Sequence, residues 1–208
     1  MTHSLHRQGS IQTLKDDYVV LARAARGINY EGDEPKLRRI AEIVFEEGPV
    51  NAGYSAHNAT MINGKWTKEV AMASQESTHH FIACFDSREK VRRVLKRLKE
   101  EDLGISIVVS GLTDEVIAMA REVGLKPHTI NLSLGIRGRK DLLAEPQVLE
   151  LTTMCGHGLV AQKLVRKAVD DVRAGRRTAE NAAEMVGAPC ICGIVNITRA
   201  ARLLEGDS

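Results

Sequence analysis

Three of the four cysteines fall in two short clusters, Thr152-Thr153-Met154-Cys155-Gly156-His157-Gly158 and Pro189-Cys190-Ile191-Cys192-Gly193. Each thiol stands beside a glycine or proline, residues that let a backbone approach a bound group closely. With no apolar export signal at the N-terminus, a reducing compartment is expected, and thiols there are more often free, metal-bound or catalytic than bridged. The Cys190-Ile191-Cys192 spacing also makes too tight a loop for a bridge between those two. Three thiolates in this arrangement suit a [4Fe-4S] cluster on Cys155, Cys190 and Cys192, its remaining iron left to His157, to Cys84, or to substrate or water. An open iron would act as a Lewis acid on a small anionic molecule, in a lyase, hydratase or desulfidase reaction. Zinc on the same sulfurs with His157 is the second metal choice, because the Cys-x-Cys pair departs from the usual zinc spacer. A redox-sensing or cluster-delivering protein is a further class, and simple burial of the thiols is the structural alternative.

Met154-Cys155-Gly156-His157-Gly158 also resembles the Met-Cys-Gly-His-Gly stretch of proline racemase-like enzymes. The resemblance implies a metal-free, racemase-like reaction in which Cys155 is the acid or base at an α-carbon and Gly156, His157 and Gly158 form the anion-binding turn. It covers five residues. The second cysteine motif of those enzymes is of the Cys-Gly-Thr-Gly type, and Pro189 to Gly193 departs from it.

These clusters need a scaffold, and the 208 residues suffice for one substantial core. Lys and Arg number 29 against 27 Asp and Glu, a net charge of +2, so neither nucleic acid nor an anionic membrane is the expected main partner. No apolar run approaches the roughly 20 residues that span a bilayer. A cytoplasmic protein, active as a monomer or homodimer on a small anionic molecule, is the expectation. Aromatic residues make up only 3% of the chain, so the core must be built from Leu, Ile, Val, Ala and Met.

The expected fold is a single α/β domain over 1–208, with a small parallel or mixed sheet, flanking helices and a C-terminal helical segment bearing the cysteines. Residues 1–78 read as a helical part with a long loop. Ser10 starts a helix to about Ala25, Asp33-Glu34-Pro35 starts another, and the 50–79 loop carries His57 and the lone tryptophan as a flap over a site. Residues 1–9, with His3, His6 and Arg7, read as a frayed terminus. Residues 79–135 read as βαβαβ: strands at 80–85, 105–109 and 127–134 alternate with two amphipathic helices. Parallel strands would bring Cys84, the Ser110-Gly111 turn and Gly135 to one edge, with Ser110 and Gly111 as anion binders at a helix start. Residues 148–208 carry the cysteine-cluster helices. Cys155 is expected at the N-terminus of the helix after Gly158, where the helix dipole lowers a thiol pKa.

Overall fold

The computed structural model describes residues 3–74 and 79–206. Helix α1 (Ile11–Leu14) is one turn capped by Ser10, and the helix expected to run to Ala25 stops there. Residues Tyr18–Arg23 instead form strand β1, whose first five residues are all buried. Tyr18-Val19-Val20-Leu21-Ala22 has no polar face at helical spacing, and its β-branched pair suits a strand covered on both sides.

The chain continues through α2 (Glu34–Glu46), β2 (Asn51–Tyr54), β3 (Ala59–Thr60) and α3 (Lys68–Ala73), then β4 (His80–Phe85), α4 (Arg88–Glu101), β5 (Ser106–Ser110) and α5 (Thr113–Glu122). The C-terminal part adds α6 (Pro146–Thr152), α7 (Gln162–Arg173), α8 (Ala179–Gly187) and α9 (Ile197–Glu205). The fold is thus mixed α/β, with one five-stranded sheet in the order β3-β2-β4-β1-β5. The N-terminal part expected to be helical supplies three of these strands.

Every hydrogen-bonded strand pair is antiparallel, which corrects the expected parallel sheet. The reason lies in β1. Strands β4 and β5 do run parallel to each other, joined through α4, but β1 inserts between them and opposes both. The third strand of the expected βαβαβ unit is also missing, because residues 127–134 pair with nothing regular.

Strand alternation divides the core into two layers. Val19, Leu21, Ile82 and Cys84 point into one layer, where α6 to α9 and all the C-terminal cysteines pack. Tyr18, Val20, Ala22, Phe81, Ala83 and Phe85 point into the other, against α2 and α4. Among the described residues no helix is long and apolar enough to cross a membrane.

Candidate thiol site

Cys155 and the Cys190–Cys192 pair meet on the sheet face covered by the C-terminal helices. Cys155 occupies a turn just after α6, closed by the Gly158 N–H donating to the Cys155 carbonyl at 3.0 Å. Helix α7 begins only at Gln162, so the expected placement of Cys155 at that helix start is corrected. Its thiol lies buried in that loop instead, in the same cluster as Cys190 and Cys192.

Cys190 and Cys192 lie between α8 and α9, in a loop pressed onto the backbone of β2. Gly193 has φ of +68°, and a Cβ there would come within 2.2 Å of the Ala52 carbonyl carbon. A Cβ at Gly53 would in turn meet the Cys192 backbone at 2.9 Å. Two glycines facing each other therefore allow the loop to lie directly on the strand. Asn51 adds a cross-link, its Nδ2 donating to the Val195 carbonyl at 3.0 Å.

The sulfurs form a series. Cys155 packs in the same buried cluster as Cys190 and Cys192, and Cys190 Sγ lies 3.8 Å from Cys192 Sγ. The pKa directions give that series a polarity. The hydrogen bond to Cys190, then burial, pushes the Cys155 thiol well up. At Cys190 the bond from Cys155 favours the anion, but the bond to Cys192 and burial outweigh it, and the net direction is up. The bond from Cys190 pulls Cys192 down against the effect of burial. Cys192 is the one of the three whose thiol is held below its ordinary range. His157, exposed at the surface, places Nδ1 3.6 Å from Cys192 Sγ.

Behind the thiols stands a buried ion network that the sequence did not announce. Arg7 belongs to the segment expected to be frayed, yet its side chain is buried, paired with Asp17 and donating to the Ile194 carbonyl. It also reaches the Met154 carbonyl at 3.4 Å, so a single guanidinium joins both cysteine loops to the start of β1. Arg199 donates to the other Asp17 oxygen at 2.9 Å and to Glu150 at 2.9 Å. Asn196 Nδ2 donates to Asp17 Oδ1 at 3.1 Å and to the Phe85 carbonyl at 3.2 Å, while its own oxygen caps α9. Burial opposes the Arg7 charge, but Asp17 and Cys84 hold it firmly protonated. A signal existed in the sequence, since Arg199 interrupts the apolar face of a short helix, but its partners are roughly 50 to 190 positions away.

The remaining expected site residues divide between near and far. Cys84 shares the thiol face, and its Sγ donates to Asp17 Oδ1 at 3.9 Å. Burial pushes its thiol up more strongly than Arg7 pulls it down. Gly156 and Gly158 lie in the Cys155 turn beside His157. Ser110 shares a sheet row with Val19 and Cys84, since Val19 pairs with both. Its hydroxyl lies on the edge strand, 2.8 Å from that of Ser4. Gly111 has a packing reason for lacking a side chain, because a Cβ there would sit 2.8 Å from the Tyr18 ring. The adjacent start of α5 carries Asp114 and Glu115 in its first turn, charges that oppose an anion there.

His57 belongs elsewhere. It contacts Tyr54, with ring centroids 4.9 Å apart, and Tyr54 packs near Trp66 in the opposite layer. Gly53 faces the cysteines and Tyr54, one residue on, faces away, so the sheet separates His57 from the thiols.

All four cysteines are free and buried. Among the described residues no group of three or more His, Cys, Asp or Glu side chains is placed to hold a metal ion. Compared with known proteins, the chain matches no family model, no curated protein and no solved structure.

Proposed function

We propose that this protein binds an iron–sulfur cluster of the [4Fe-4S] type through Cys155, Cys190 and Cys192, and that it is an enzyme acting on a small anionic substrate at that centre. The observation that carries the reading is the meeting of three buried thiols from two separate loops on one sheet face, with Cys190 Sγ 3.8 Å from Cys192 Sγ. The donor set fits the group. Thiolates are the usual ligands of such clusters, and hydrogen bonds to the sulfurs tune their potential. A cluster takes each thiolate on a different iron, so its ligands need not converge on one point as those of a single zinc ion must.

When bound, such a group supplies an electron site or, at an iron without a cysteine ligand, a Lewis acid that polarises a hydroxyl or carboxylate. The chain supplies the rest. His157 is exposed beside Cys192, with Nδ1 3.6 Å from its Sγ, and its ring can donate or accept a hydrogen bond there. At Gly158, with φ of +68°, a Cβ would meet nothing within 4 Å, so the turn is open on that side. The Arg7 guanidinium holds both loops and adds positive charge behind the sulfurs, which favours an anionic centre. Free thiols suit a reducing compartment, and the cytoplasm is the location proposed.

Anaerobic reconstitution with ferrous iron and sulfide tests this reading. Brown protein with about four irons per chain is expected, and Cys190→Ala should abolish the colour while far-UV circular dichroism shows the fold retained. Protein that stays colourless and iron-free sinks the assignment, and zinc measured on the same sample separates the alternative metal. A second reading, metal-free cysteine acid–base chemistry, is favoured by the contact of His157 with the lowered Cys192 thiol. It predicts solvent exchange of a substrate α-proton by metal-free protein.

A further inference from the structure

The segment after α5 is exposed, apolar and without regular partners. From residue 126 to residue 145 it contains only a three-residue 3-10 turn, Lys140–Leu142. Among the described residues, no backbone–backbone hydrogen bond joins residues 126–137 to another part of the chain. Stretches of this length without secondary structure are uncommon in compact domains. Within it, Ile130, Leu132 and Leu134 are 54%, 62% and 81% exposed. They alternate with Asn131 and Ser133, so in extended form all three lie on one face.

A matching vacancy in the hydrogen-bonding pattern lies next to it. Strand β5 ends the sheet, pairing with β1 on one side only. Its Ile107 and Val109 pack towards the α2–α4 layer, whereas Val108 on the other face is exposed, because the C-terminal helices do not extend that far. The β5 edge and residues 126–133 line the same cavity of about 840 Å³ without pairing across it. An unpaired strand edge recruits extended chain, since its N–H and C=O groups are a template for another strand.

We propose that two copies of this chain form a homodimer in which residues 127–134 of each add as a strand to the β5 edge of the other. The second copy is the occupant the surface itself specifies. Donor segment and acceptor edge belong to the same end of the same molecule, so one two-fold axis satisfies both at once and closes the assembly. An unrelated partner would satisfy one of them and leave the other open. The exchange covers Ile130, Leu132 and Leu134 and adds a sixth strand to each sheet. It is independent of the iron–sulfur reading, which concerns the other end of the sheet row.

Light scattering on the eluting full-length, metal-free chain should give twice the chain mass. Hydrogen exchange should show residues 127–134 protected together with β5, with protection lost on dilution. Leu132→Asp places a charge in the covered face, and it should halve the measured mass while far-UV circular dichroism and the iron content after reconstitution stay those of the parent. A parent chain that runs as a monomer at all accessible concentrations overturns the proposal. So does protection of residues 127–134 in a monomer, which would mean that the segment pairs with its own β5, and so does a Leu132→Asp variant that remains dimeric. If that variant does not fold, the exchange pattern and mass of the parent chain decide alone.

Discussion

Arg7→Ala removes a side chain that joins Asp17, just before β1, to both cysteine loops. In the folded protein the guanidinium is buried, paired with Asp17 and bonded to the carbonyls of Ile194 and Met154. Its loss leaves Asp17 paired with Arg199, beside the neutral donors Asn196 and Cys84, and takes a donor from two buried carbonyl oxygens. Breaking a buried pair by removing one partner costs about 3–5 kcal/mol. For a chain of this size each kcal/mol is worth roughly 2–4 °C in melting temperature. The metal-free variant should therefore melt roughly 6–20 °C below the parent, as read by circular dichroism at neutral pH. Arg7→Lys keeps the charge but cannot span Asp17 and both carbonyls, so it should recover only part of the loss. Iron content measured on both variants below their melting temperatures separates assembly of the loops from general stability. A melting temperature for Arg7→Ala within about 2 °C of the parent, less than a single kcal/mol, would refute the claim that this residue fastens the site.

Other perturbations read different parts of the molecule. Gly193→Ala drives a Cβ into the Ala52 backbone at a positive φ. It should cost several times the usual ~1 kcal/mol for a glycine in that conformation, or dislodge the loop; intact melting with unchanged iron content would contradict the close approach. His57→Ala, across the sheet from the thiols, should leave cluster content unchanged, which the same iron assay checks. Alkaline stability depends in part on two buried acids other than the proposed cluster ligands. Burial raises the Cys84 thiol above its ordinary 9.0, and burial, then Glu115, raises the Tyr18 phenol from 10.0 to about 12. The unfolded chain releases both protons first, so stability present below pH 9 is lost as pH rises through the folded values. The melting temperature should fall steadily above pH 9, and one of the three tyrosines should ionise only near pH 12 or on unfolding. Tyr18→Phe should flatten the upper part of that fall.

What could be read from the chain alone was local. The Ser87-led helix α4, the apolar runs of β4 and β5, and the caps Thr178 and Asn196 follow from residue type and spacing, because each is stabilised by contacts within a few positions. The cysteine clusters stood out for the same reason, as thiols beside glycines in short loops. Sheet order was not local. Whether β4 and β5 become neighbours depends on β1, whose uniform apolar run gave no period to tell a strand from a helix. The 127–134 segment shows the converse, an alternating strand pattern that forms no strand in the folded chain. Cys155 gained its environment from burial beside the Cys190–Cys192 loop rather than from the helix start that its sequence position suggested. Arg7 and Arg199 became parts of one buried network only when residues nearly two hundred positions apart were folded together. Charge at a terminus looks solvated in a sequence, and only the tertiary structure, by placing Asp17 and two backbone carbonyls around it, made burial of that charge favourable.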